Sequence, residues 1–133
     1  ASIGNSGRTM NPYLVQEIRG PDLSILQTTE PTQFEDALKP SNSLSLTEML
    51  VNVVENGTGS NAQIAGVRVA GKTGTAQTGN DSPSVAWFIS FAPAAAPKVA
   101  VAVVIEESGL AEVSGNGLAA PIAKEVMKAV LGS

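Results

Sequence analysis

The 133-residue sequence contains no cysteine and no histidine. Without cysteine the chain can form no disulfide framework and no cysteine metal site. Without histidine it lacks the commonest metal ligand and the commonest general base. Acid-base chemistry in this chain therefore depends on lysine, tyrosine or carboxylate side chains, and we expect no metal and no cofactor.

Basic residues are also few. The eight lysines and arginines are scattered, and the net charge is −4. Because no positive stripe forms along the sequence, nucleic acid and anionic membrane surfaces are poor candidates as partners. The sequence has no signal peptide and no run of about 18 apolar residues that would span a membrane. We therefore expect any membrane anchor to lie upstream of Ala1.

The apolar content of 43% is enough for one modest core, and the length predicts a single domain. Apolar residues at helical spacing predict a helix over residues 45–56 and a second over 118–131. In the second helix, Ile122, Val126 and Val130 lie on one stripe, and we expect that stripe to be buried against a sheet.

Extended segments occupy much of the remaining sequence. Short strands are predicted over 13–18 and 24–28, and longer ones over 67–77, 84–92 and 98–106. Polar turns at 78–83 and 93–97 separate the last three, which favours an antiparallel meander. The predicted fold class is α+β, an antiparallel sheet packed against helices. We expect strand 67–77 to lie at the sheet edge, paired with 84–92 on one side only.

One polar tetrapeptide interrupts the apolar run of strand 67–77: Lys72, Thr73, Gly74 and Thr75. A positive charge, two hydroxyl donors and a glycine that permits close approach to the backbone would suit an anionic ligand. A simpler interpretation is a threonine-rich edge strand protected by a lysine. The tetrapeptide alone leaves both interpretations open. Lys-Thr-Gly is also one motif of serine β-lactamases and penicillin-binding proteins.

Three further segments occur in the order and approximate spacing typical of penicillin-binding transpeptidases: 3–15 with Pro-Tyr-Leu-Val at 12–15, Asn-Gly-Thr-Gly at 56–59, and Ala-Trp-Phe-Ile-Ser-Phe-Ala-Pro at 86–93. Along nearly its whole length the chain resembles the C-terminal part of the transpeptidase domain of class B penicillin-binding proteins. The resemblance implies the C-terminal portion of the penicillin-binding protein and serine β-lactamase fold.

The resemblance also implies roles for the tetrapeptide. Thr73 and Thr75 would bind the carboxylate of a D-alanyl-D-alanine stem peptide or a β-lactam, with Gly74 between them. The backbone N–H of Thr75 would donate to the oxyanion, and Lys72 would add charge and orient a serine. It further implies an extracytoplasmic, membrane-anchored parent protein that cross-links peptidoglycan and contacts cell-wall synthesis or division proteins.

Two catalytic motifs of that family are missing. No lysine has a serine three residues before it, so Ser-x-x-Lys is absent. The one Ser-x-Asn, at 114–116, follows Lys72 instead of preceding it, and its glycine-rich surroundings predict a turn. We expect an incomplete domain that is inactive alone. The alternatives are a D,D-carboxypeptidase or β-lactamase of the same superfamily, and a non-catalytic ligand-binding or sensory module.

Overall fold

The computed structural model describes residues 1–77, 84–106, 108–109 and 113–132. Their secondary structure, in chain order, is β1 Arg8–Met10, β2 Glu17–Arg19, β3 Ile25–Thr28, β4 Gln33–Asp36, α1 Pro40–Glu55, β5 Ala70–Ala76, β6 Val85–Ala92, β7 Val99–Ile105 and α2 Ala120–Leu131. A short 3₁₀ turn, Ser60–Ala62, follows α1, and a π-helical turn, Gly115–Ala119, leads into α2.

The central sheet has the strand order β5-β6-β7, and both pairs are antiparallel. The predicted meander is therefore confirmed, as is the α+β class. Among the described residues β5 pairs with β6 alone, in a register that sets Thr73 opposite Phe88. The strand begins at Ala70, three residues later than predicted. The turn predicted at 78–83 lies outside the described residues.

Two small antiparallel pairs precede the sheet, β1 with β4 and β2 with β3. The extended segment predicted at 24–28 is confirmed as β3. The strand predicted at 13–18 is displaced to Glu17–Arg19, because the turn after it sets the register. In that turn the Gly20 N–H donates to the Ser24 carbonyl at 2.9 Å. Hydrogen bonds from the Ser24 hydroxyl and N–H lower the pKa of Asp22.

Helix α1 begins at Pro40, five residues before the predicted start. Proline fits the first turn of a helix, where its missing N–H costs no hydrogen bond. The polar residues that follow are part of the helix, and their side chains form hydrogen bonds. The Ser43 hydroxyl donates to the Ile3 carbonyl, and the Thr47 hydroxyl donates to the Ser43 carbonyl. Both side chains are buried, so this first half of α1 is anchored although its sequence is polar.

The core lies between the sheet and both helices. Phe88 on β6 and Met127 on α2 are its largest fully buried side chains, and they share one cluster with Val54 of α1. Val51 of α1 packs in a second cluster, with Ala70 and Phe91. Pro121 lies in the first turn of α2, as predicted.

The predicted buried stripe of α2 is wrong. Ile122, Val126 and Val130 are 48%, 43% and 58% exposed. The buried residues of α2 are instead Ala120, Ala123 and Met127, and they share a cluster with Ala119 of the preceding turn and with Phe88 of the sheet. Alanines allow the helix to lie close to the sheet, and the flexible methionine fills the space that remains.

Candidate functional site

The tetrapeptide at 72–75 lies in the middle of β5. Lys72 and Thr75 are exposed, while Thr73 and Gly74 are half-buried. Side chains alternate along a strand, so Thr73 and Thr75 share one face and Lys72 points to the other. Two hydroxyls therefore lie side by side on one face of a strand that pairs, among the described residues, with β6 only.

The Lys72 side chain reduces the separation that this alternation imposes. Its Nζ donates a hydrogen bond to the Thr73 carbonyl at 2.8 Å. The long side chain thus bends back along its own strand and brings its ammonium group to the backbone beside Thr73. A charge and two hydroxyls are available along the same short stretch of β5, an arrangement that suits a carboxylate.

A third hydroxyl reaches this stretch from the loop after α1. Thr58 Oγ1 and Thr73 Oγ1 lie 2.9 Å apart, within hydrogen-bond distance, and either can be the donor. The loop folds back tightly, because the Gly59 N–H donates to the Val53 carbonyl at 2.9 Å. The residue pattern predicts only a surface loop at 57–65. The Asn-Gly-Thr-Gly segment at 56–59 marks this loop as part of the family resemblance, but nothing in the sequence indicates that its threonine contacts Thr73.

The Ser-Gly-Asn segment at 114–116 forms the turn that opens α2, in keeping with the prediction. The Ser114 hydroxyl accepts a hydrogen bond from the Gly117 N–H at 3.0 Å and so caps the turn. The Asn116 side-chain oxygen accepts from the Asn61 N–H, and the Asn61 side-chain amide donates to the Asn116 carbonyl, each at 3.0 Å. The segment ties the loop after α1 to the start of α2.

Gly115 brings that turn against the motif strand. A Cβ added at Gly115 would lie 2.2 Å from the Trp87 carbonyl oxygen and 2.9 Å from the Gly74 carbonyl oxygen. Gly74 itself is confined on the other face, where an added Cβ would lie 3.2 Å from the Trp87 Cβ. The backbone of β5 at Gly74 is therefore held between two close contacts, and the one made by Gly115 depends on glycine.

An ion cluster fixes the segment that leads into β5. Arg68 binds Glu48 at 3.0 Å and Glu55 at 3.4 Å, and both carboxylates belong to α1. Their hydrogen bonds raise the pKa of Arg68 above its ordinary value. The Arg68 carbonyl accepts from the Ala94 N–H at 2.8 Å. The segment before β5 is thereby connected at Arg68 to α1 and to the turn after β6.

Within the described ranges, no group of histidine, cysteine, aspartate and glutamate side chains has an arrangement that would hold a metal ion. None of the helices in the same ranges is long and apolar enough to cross a bilayer.

Comparisons with known proteins concern nearly the whole chain. Residues 1–128 match the family model described as penicillin binding protein transpeptidase domain. The chain is 45% identical, over 98% of its length, to peptidoglycan D,D-transpeptidase PbpA of Mycolicibacterium smegmatis and of Mycobacterium tuberculosis. It is 32% identical, over 93% of its length, to stage V sporulation protein D of Bacillus subtilis. The chain spans 27% of each PbpA sequence and 20% of the sporulation protein.

Solved structures agree with these relatives. The crystal structure of PBPA from Mycobacterium tuberculosis superimposes with a TM-score of 0.87 at 45% identity, covering 98% of this chain and 32% of that one. The penicillin G acyl-enzyme complex of penicillin-binding protein A from the same organism gives 0.83 at 45% identity, covering 98% and 29%.

Proposed function

This chain belongs to the penicillin-binding protein transpeptidase family, and we propose that it supplies the substrate-binding strand of a serine D,D-transpeptidase that cross-links peptidoglycan. The proposal includes its place in the protein, as the C-terminal part of one transpeptidase domain. The observation that carries the proposal is the site on β5: a lysine and two threonine hydroxyls on a strand that pairs with β6 alone among the described residues.

The proposed role of this edge is to receive the end of a D-alanyl-D-alanine stem peptide as an added strand. An unpaired strand edge supplies backbone donors and acceptors for such a ligand. The Thr73 and Thr75 hydroxyls would bind the terminal carboxylate, with Gly74 between them and the Lys72 ammonium adding charge. A β-lactam carboxylate would occupy the same position.

The Thr75 N–H is the proposed oxyanion donor of this chain. When a serine hydroxyl attacks the carbonyl of the penultimate D-alanine, negative charge develops on the carbonyl oxygen, and a fixed N–H donor stabilises it. The terminal D-alanine leaves as the amine, and an acceptor amine on another stem peptide then takes the acyl group from the serine. The serine and its lysine belong to a Ser-x-x-Lys motif, which this sequence does not contain.

The proposal extends to location: such a transpeptidase would act at the outer face of the bacterial cell membrane, where stem peptides are cross-linked. We include in the proposal a membrane anchor outside this chain and contacts with cell-wall synthesis or division proteins.

The test uses a longer protein in which this chain is joined to its own Ser-x-x-Lys segment. We expect covalent labelling by a fluorescent penicillin, and transfer of the acyl group from a D-alanyl-D-alanine peptide to an added amine acceptor. If the protein is labelled but transfers the acyl group to water instead of to the added acceptor, it is a carboxypeptidase or β-lactamase. Absence of labelling would show a non-catalytic module and contradict the proposal.

A further inference from the structure

The loop between α1 and the 3₁₀ turn carries a hydroxyl to the motif strand from an element that holds none of the family's catalytic motifs. Thr58 lies between Gly57 and Gly59, both of which pack closely on α1. A Cβ added at Gly57 would lie 3.0 Å from the Val53 carbonyl oxygen, and one added at Gly59 would lie 3.3 Å from it. The two glycines therefore let the loop turn back sharply enough for Thr58 to reach Thr73.

A second connection fixes the other end of this loop. Asn61 and Asn116 exchange two hydrogen bonds of 3.0 Å, one through the backbone of each residue. Asn116 belongs to the turn that also presses Gly115 against the backbone of Gly74. Loop, turn and motif strand are thus tied together at three points around Thr73, so the position of Thr58 is set by the fold.

The chemistry of a carboxylate decides the direction of the bond between the two threonines. An ionised carboxylate only accepts hydrogen bonds, and a hydroxyl has a single proton to give. If Thr73 donated its proton to Thr58, none would remain for a ligand carboxylate. If Thr58 donates to Thr73, the Thr73 proton is free to point toward the ligand, and each bond polarises the next.

We propose that Thr58 is a positioning residue for the reaction, which donates its proton to Thr73 Oγ1 and so directs the Thr73 hydroxyl toward the substrate carboxylate. This role rests on the proposed function, because it acts through the binding of a carboxylate by Thr73. Thr58 itself is not proposed to touch the substrate.

The experiment measures the second-order rate of acylation by benzylpenicillin in the longer protein that carries the Ser-x-x-Lys segment. Thr58→Val keeps the shape of the side chain but removes the hydroxyl, and we expect a rate about five- to tenfold lower, the effect of one hydrogen bond. Thr58→Ser keeps the donor, and we expect a rate within about twofold of the unmodified protein. Thr29→Val is the matched control, because Thr29 donates to the Val15 carbonyl in the distant β2–β3 region.

A double-mutant cycle separates positioning from a merely structural role. If Thr58 acts through Thr73, adding Thr58→Val to a Thr73→Val protein should lower the rate by less than about twofold. Two results would overturn the positioning role. One is an equal loss of acylation rate from Thr58→Val in both backgrounds; the other is an unchanged rate in Thr58→Val although Thr73→Val is slow. Either result would leave the role of Thr73 intact.

The proposed function fails in a different way. Absence of acylation in the unmodified protein, or an unchanged rate in Thr73→Val, overturns the carboxylate role of Thr73 and the role of Thr58 with it. A crystal structure of the Thr58→Val acyl-enzyme gives a readout besides rate. We expect the Thr73 hydroxyl to be displaced from the ligand carboxylate, and an unchanged hydrogen bond would contradict the positioning role.

Discussion

Gly115 shows how closely single residues constrain this site. Its backbone lies against the Trp87 and Gly74 backbones, and a Cβ added at Gly115 would meet the carbonyl oxygens of both residues. Backbone atoms cannot rotate away as a side chain can, so any side chain at position 115 must displace either the turn or the motif strand.

We expect Gly115→Ala to lower the free energy of unfolding by about 1–3 kcal/mol, the usual cost of overpacking. In the same turn, an added Cβ at Gly117 would meet, among the described residues, only the Ser114 hydroxyl, at 3.0 Å. Gly117→Ala should therefore lower the free energy of unfolding by less than Gly115→Ala does. Urea denaturation of the two variants makes the comparison, and equal stabilities would show that the contact at Gly115 relaxes freely.

At this scale the sequence predicted the tetrapeptide on β5 but not its surroundings. Lys72 and its neighbours stand out because polar residues interrupt an apolar strand. Thr58 and Gly115 do not stand out, since a threonine or glycine in a glycine-rich loop is ordinary. Their importance comes from contacts between segments 15 to 41 residues apart in sequence, which local patterns do not encode.

Among the elements, the three strands of the central sheet were predicted closely and α2 was only partly predicted. Alternating apolar residues and polar turns mark the strands directly. In α2, the larger aliphatic residues form the clearer stripe, but the buried face is the one with alanines and Met127. A helix that packs close to a sheet favours small residues on the buried face. A prediction that takes the larger aliphatic residues as buried therefore selects the wrong face of α2.

Substitutions on the two faces of α2 should differ accordingly. We expect Met127→Ala, in a fully buried site, to cost about 2–5 kcal/mol of unfolding free energy through lost burial and a cavity. Val126→Ala, at a position 43% exposed, should cost less than about 1 kcal/mol. Denaturant unfolding of the 133-residue chain measures both, and the reverse order would restore the stripe of Ile122, Val126 and Val130 as the buried face.

On the scale of the whole molecule, this chain spans 27% of its PbpA relatives and contains Lys-Thr-Gly but no Ser-x-x-Lys. Large apolar side chains are exposed in the N-terminal strand pairs and in the segments that join them, among them Leu14, Leu26 and Phe34. The fold class was predictable, because helix and strand patterns and the family resemblance agreed. The roles of these exposed residues were not predictable, since nothing in the sequence indicates what would cover them.

The 133 residues alone should not react covalently with penicillin. No serine in the sequence stands three residues before a lysine, so the activated nucleophile that acylation requires is missing. Gel fluorescence after incubation with a labelled penicillin is the measurement, with the longer protein as the positive control. A labelled band that unlabelled drug competes away would reveal a nucleophile elsewhere in this chain.

The contribution of β5 to acyl transfer is tested most directly by one substitution in the longer protein. We predict that Lys72→Ala lowers the acylation rate by at least about a hundredfold, equal to about 2.7 kcal/mol of transition-state stabilisation. Lys98→Ala, which removes an exposed lysine just before β7, should leave the rate unchanged. If Lys72→Ala is acylated within a few-fold of the unmodified rate, Lys72 merely protects the sheet edge, and β5 is not the binding strand proposed.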